Sequence, residues 1–196
     1  MKKIAITGGI ASGKTTASDF FRNKGKSYIF NADKESKKHL KSSLILQKKI
    51  INIFGDEVVE NNKLNLDLLA KKAFNNPVNH KILNGIMWPE LYILLNNCYI
   101  ENKNKDLDFF IVDAALIFEA NFQSFFDEVI LITANKNLRL QRAVKRRNIS
   151  LESIQNRISL QFSDNKKKKL ANHIIQNNKD LKTFIKKIER LYKKLF

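Results

Sequence analysis

The sequence predicts an α/β protein, a three-layer fold with a parallel five-stranded sheet between helices. Three observations carry that prediction: short apolar runs alternating with helical segments, a long helical stretch between the second and third runs, and a glycine-rich turn directly after the first. The runs are Ile4–Thr7, Tyr28–Phe30, Phe109–Val112, Val129–Ile132 and His173–Ile175. At 196 residues and 43% hydrophobic, with 14 Phe, the chain has enough apolar material for one packed core and an insertion.

The turn after the first run reads Gly8-Gly9-Ile10-Ala11-Ser12-Gly13-Lys14-Thr15-Thr16. Glycine, four residues, then Gly-Lys-Thr between a strand and a helix is the P-loop pattern. Glycines let backbone N–H groups turn inward around a phosphate chain, and the helix that follows presents its positive end to the same anion. Lys14 is expected to reach the β- and γ-phosphates of ATP, and the Thr15 hydroxyl to hold Mg²⁺. Ala11 stands where many such loops have glycine, so it either keeps a negative φ or carries modest strain.

The second run ends in Asn31-Ala32-Asp33, bringing Asp33 to the carboxyl edge of the sheet, where ligands of such folds bind. A carboxylate there can take the proton of an attacking hydroxyl, or can simply cap the next helix. Asp113 ends the third run and is a second candidate Mg²⁺ residue, with capping of a helix around Phe118 as its other reading. Glu119 is a candidate only as a helix-start glutamate. Arg139, Arg142 and Arg146 fall on one helical stripe, a phosphate clamp or a solvated basic face, the latter applying most to Arg139.

Residues 42–105 read as an all-helical insertion, with helices over Ser42–Phe54, Leu66–Phe74 and Pro77–Ile100, the last kinked or divided by Pro89. The core then comprises 1–41, 106–134 and 171–196, and 135–170 is a helical lid. Four consecutive lysines, Lys166 to Lys169, read as a solvated helix face. His39 and His80 fall in helical segments and His173 in a strand, and none reads as catalytic.

The net charge of +17 points first to a polyanionic partner. The excess is mostly lysine, 29 Lys against 7 Arg beside 23 Asn, which reads as surface drift, because nucleic-acid readers lean on arginine. The expectation is therefore no specific nucleic acid. One cysteine, Cys98, and no long apolar segment fit a cytoplasmic protein with no membrane association.

The motifs together resemble the dephospho-CoA kinase family nearly end to end. The resemblance is carried by the P-loop from Thr7 to Thr16, Asn31-Ala32-Asp33, Phe54-Gly55, Leu83-Asn84, Trp88-Pro89 and Val112-Asp113-Ala114-Ala115-Leu116-Ile117-Phe118-Glu119. Arg142, Arg146, Ser150, Glu152, Arg157-Ile158, Gln161 and Ala171–Ile175 complete it. It implies the P-loop fold, ATP-dependent phosphorylation of the ribose 3′-hydroxyl of dephospho-CoA to coenzyme A, and a monomer or weak homo-oligomer. It further implies catalytic roles for Asp33, Lys14 and Arg142 and coenzyme A binding by the insertion. Asn31, Leu66, Trp88 and Ala115 depart from the family's usual aspartate, arginine, histidine and proline. A small P-loop kinase of nucleosides or nucleotides, and an ATP-dependent nucleic-acid-binding protein, are the alternatives to be separated from it.

Overall fold

In the computed structural model the described residues are 1–146 and 150–195, with Arg146 described by its backbone alone. The side chain of Arg146 and the part of the expected lid at 147–149 lie outside them. The chain forms two compact units, Met1–Asn31 with everything from Asn97 onward, and Ala32–Asn96.

The first unit holds the parallel sheet of β1 (Lys2–Thr7), β2 (Ser27–Asn31), β5 (Phe109–Asp113), β6 (Glu128–Thr133) and β7 (His173–Gln176), in the order β2-β5-β1-β6-β7. All five expected strands form. Their centres read as unbroken apolar runs because both faces of the sheet are covered. Ile4, Ile6, Phe109, Ile111, Ile130, Ile132 and Ile175 point to one face and meet Ala17 and Phe21 of α1 (Lys14–Asn23) with Phe184, Ile188, Leu191 and Leu195 of α9 (Leu181–Leu195). Ala5, Phe110, Val112, Val129 and Leu131 are buried on the other face. Asp180 caps α9, accepting from the Thr183 backbone N–H and hydroxyl, and those bonds lower its carboxyl pKa.

The central strand is β1: the chain leaves it toward β2 on one side and reaches β6 on the other. That reversal opens a crevice at the carboxyl end of β1, where the loop into α1 lies.

The second unit contains α2 (Ala32–Ser42), α3 (Leu44–Phe54), β3 (Val59–Glu60), β4 (Lys63–Leu64), α4 (Leu66–Phe74) and most of α5 (Pro77–Asn102). Its core is Leu40, Leu46, Ile50, Phe54, Val58, Leu69 and Ile86. The Ser43 and Asn65 side chains cap α3 and α4 by accepting from backbone N–H groups of their first turns, and Gly55 closes α3 at φ 75°. The stretch is not all-helical: β3 and β4 pair across Asn61-Asn62, both with positive φ. Asparagine tolerates that region, which a two-residue hairpin turn needs at both positions. The unit also begins at Ala32, so α2 groups with it. Pro89 does not divide α5, which runs on for 26 residues.

Beyond β6 come α6 (Lys136–Arg146), α7 (Leu151–Ser159) and α8 (Asp164–Lys168). Here the lysine run departs from the sequence reading. Lys167 has 0% of its surface exposed and donates to Glu119 Oε1 at 2.9 Å and to the Ala115 carbonyl at 2.9 Å. Glu119 Oε1 also accepts the Phe162 N–H at 2.7 Å. A five-residue helix with three adjacent lysines necessarily points one of them inward, and a carboxylate was waiting there. Glu119 accordingly lies in a run of turns and starts no helix.

Two stability outcomes follow. Phe21→Ala, which empties a fully buried site between α1 and the sheet, is expected to cost about 3–5 kcal/mol in chemical denaturation. Lys167→Met is expected to cost about 3–5 kcal/mol by stranding the Glu119 carboxylate, and adding Glu119→Gln to it should recover a large part of that loss.

Candidate active site

The glycine-rich turn runs from Gly8 to Gly13 between β1 and α1, and Lys14, Thr15 and Thr16 begin α1 itself. Gly8, at φ 150°, is obligatory: a Cβ there would sit 2.2 Å from the Ile132 carbonyl oxygen, a backbone atom of β6 that cannot yield. Ala11 takes the strained alternative, at φ 55°. Gly13 adopts the left-handed conformation, φ 111°, as the residue before α1. Its missing side chain makes room for Asn177, whose amide donates to the Ser12 carbonyl at 2.8 Å. The Ser12 N–H closes the turn on the Gly9 carbonyl at 3.2 Å.

Lys14 opens α1 and folds back over the loop, its ammonium 3.1 Å from the Gly8 carbonyl and within reach of that of Gly9. The Ser12 hydroxyl is fully buried inside the turn and has no hydrogen-bond partner among the described residues. Thr15 is exposed and Thr16 partly so. A glycine-rich turn running into a helix N-terminus, with a cation folded over it and a buried hydroxyl that has no partner among the described residues, suits an anion with several oxygens.

Asp113 ends β5 opposite Ile6 and is 6% exposed, with Ser18 Oγ donating to its Oδ2 at 3.0 Å. No helix begins near Phe118, so the capping alternative for Asp113 is set aside. Thr15 and Ser18 lie one turn apart on α1, which brings a free hydroxyl and an anchored carboxylate to the same end of the sheet. Among the described residues no three His, Cys, Asp or Glu cluster to hold a metal alone. A metal at this point would need oxygens from a bound ligand.

Asp33 belongs to the second unit. It is exposed in the first turn of α2, two residues past β2, and makes no hydrogen bond or ion pair among the described residues. Because α2 already starts at Ala32, Asp33 does not occupy the capping position. His39 pairs with Glu90 at 2.9 Å, His80 is buried against Phe74, and His173 lies 3.1 Å from Glu128.

The arginine stripe divides. Arg142 donates to the Asn177 carbonyl at 3.1 Å, joining α6 to the segment that supports the P-loop. Arg139 is no solvated residue: it is 6% exposed, its Nε donates to the Ile10 carbonyl at 3.1 Å, and its Nη1 donates to both carboxylate oxygens of Asp164 at 3.0 Å. A Cβ on Gly9 would lie 2.4 Å from its Nη2. Sequence reasoning undervalued Arg139, and it missed Asn177 and Asp164 because their partners are 165 and 25 residues distant.

The family model for dephospho-CoA kinase matches residues 2–183. Among curated relatives, the dephospho-CoA kinase of Chlamydia caviae is 34% identical over 97% of this chain and 94% of its own length. That of Fusobacterium nucleatum is 33% identical over 95% of both chains. A solved dephospho-CoA kinase from Campylobacter jejuni superimposes with a TM-score of 0.67 at 28% identity, covering 98% of this chain and 96% of its own. Shikimate kinase from Acinetobacter baumannii, TM-score 0.56 at 16% identity over 99% of this chain and 94% of its own, shares the fold alone. The strands, the phosphate-binding turn and the match over nearly the whole chain agree: the chain belongs to the dephospho-CoA kinase family.

Proposed function

We propose that this kinase transfers the γ-phosphoryl group of ATP directly to the ribose 3′-hydroxyl of dephospho-CoA, giving coenzyme A and ADP. The observation that carries the reading is the P-loop, with Lys14 lying across the Gly8 and Gly9 carbonyls beside a buried hydroxyl with no partner. On binding, Lys14 exchanges those carbonyls for the β- and γ-phosphate oxygens, and the amides of residues 9–16 hold the phosphate chain.

The acceptor hydroxyl is oriented by Asp33, which takes its proton as the oxygen attacks phosphorus. An exposed carboxylate with no competing partner is suited to that task. Arg142 neutralises charge on the transferring group. Helices α6 to α8 act as a lid that keeps water from competing with the acceptor.

The residues fit Mg²⁺: Thr15 and Asp113 supply hard oxygen donors at one end of the sheet, and they would hold the ion together with the nucleotide. Bound there, it would offset the negative charge of the triphosphate. The protein works in the cytoplasm as a monomer or weak homo-oligomer; among the described residues no helix is long and apolar enough to cross a membrane. Comparing dephospho-CoA with nucleosides and nucleoside monophosphates as acceptors tests the assignment, and faster transfer to any of the latter defeats it.

Three substitutions have distinct expected patterns. Lys14→Ala should abolish turnover and weaken ATP binding in a titration. Asp33→Asn should lower kcat by about 10²-fold or more while the KM for ATP stays within twofold. Asp164→Asn, which unpins Arg139 from its orienting carboxylate, should raise the KM for ATP by about tenfold with a smaller change in the KM for the acceptor.

A further inference from the structure

Helix α2, Ala-Asp-Lys-Glu-Ser-Lys-Lys-His-Leu-Lys-Ser, carries four lysines in 11 residues, whereas the 26-residue α5 of the same unit has only Lys81. α9 is as dense, with five lysines in 15 residues, so it is the position of the α2 lysines beside Asp33 that sets them apart. The four are Lys34, Lys37, Lys38 and Lys41, spaced at three and four residues, so they share one side of the helix. With Ser42 they line a shallow concavity of about 440 Å³. Like charges at these spacings destabilise a helix, and the ammonium groups of Lys37, Lys38 and Lys41 have no hydrogen bond or ion pair among the described residues. Glu35, the one carboxylate on the helix besides Asp33, pairs with none of them. Among the described residues those three ammonium groups add no ion pair to the fold, and they stand together on one rim of the concavity, where an anion can meet several at once.

Its position relative to Asp33 identifies the ligand's chemistry. Lys37 is one turn beyond Asp33 and Lys41 two turns, about 6 and 12 Å along the axis. An acceptor whose 3′-hydroxyl is held at Asp33 carries a diphosphate on the 5′-carbon of the same ribose, within about one to two helical turns of that hydroxyl. Resting on the acceptor reading above, we infer that Lys37, Lys38 and Lys41, with Lys34 on their flank, form the subsite for the acceptor's diphosphate. The site takes a 5′-diphosphate ester, and its role is acceptor affinity and selection against acceptors lacking that group. Nucleotide binding at the P-loop is independent of it.

The test is the triple variant Lys37→Gln/Lys38→Gln/Lys41→Gln, assayed with dephospho-CoA and with adenosine, which offers the same 3′-hydroxyl and no diphosphate. The expected result is a rise of tenfold or more in the KM for dephospho-CoA, with the KM for ATP and the weak kcat/KM for adenosine within twofold of wild type. Replacing the three by arginine should keep the KM for dephospho-CoA near wild type, and a Lys182→Gln/Lys186→Gln variant on α9 should change nothing. Glutamine keeps helix propensity close to that of lysine, and unchanged circular dichroism verifies the fold. Added salt should raise the wild-type KM for dephospho-CoA more steeply than the variant's. If the wild type uses dephospho-CoA and the triple variant's KM for it moves less than twofold, or moves equally for adenosine, the subsite is overturned. If the wild type fails to phosphorylate dephospho-CoA at all, the acceptor reading itself is what falls.

Discussion

At Gly8 the chain passes so close to the β6 backbone that a single carbon would collide with the Ile132 carbonyl at 2.2 Å. The phosphate-binding turn depends on that close approach, because it brings the main chain back across the end of β1 and starts α1 in the crevice between β5 and β6. Much of the surrounding structure serves to hold the turn in place. Asn177 holds the Ser12 carbonyl, Arg139 holds that of Ile10, and Ser18 on the first helix ties α1 to Asp113 of β5. The strain recorded at Ala11 is sustained by those contacts.

Most of these supports are polar side chains bonded to backbone carbonyls that the turn leaves without partners. Such carbonyls are costly to bury unsatisfied, so each support stabilises the turn's shape as well as its own helix. Arg139 illustrates the balance. Its charge is matched by Asp164, whose two oxygens share the Nη1 donor, and the helix that carries Asp164 is thereby linked to the loop.

The strands and the P-loop were legible because each is written in consecutive residues: apolar runs of four to six, and glycines at fixed spacing before Lys14. Asp113 was legible as the polar end of an apolar strand, and the helices of the second unit as three- and four-residue periodicity closed by Gly55 and opened by Pro77. What escaped depended on phase or on distance. The Asn61-Asn62 hairpin was hidden among 23 asparagines, most of which do nothing of the kind. Pro89 looked like a break because proline withholds one helical N–H, yet the rest of the 26-residue α5 carries the helix through it. Arg139 looked like surface because the carboxylate that lets it be buried comes 25 residues later.

The buried Lys167 changes how the tract from Lys166 to Lys169 should be regarded. By composition the four are interchangeable, yet only one of them fills an interior slot against Glu119 and the Ala115 carbonyl. Deleting any one member would barely alter the protein's charge and would leave a lysine second in the tract, but it would draw Leu170 and the start of β7 one residue closer to the buried position. The length of the tract is therefore under structural constraint even where the identity of its exposed members is free, and a segment that resembles a slippery homopolymer is in fact a ruler.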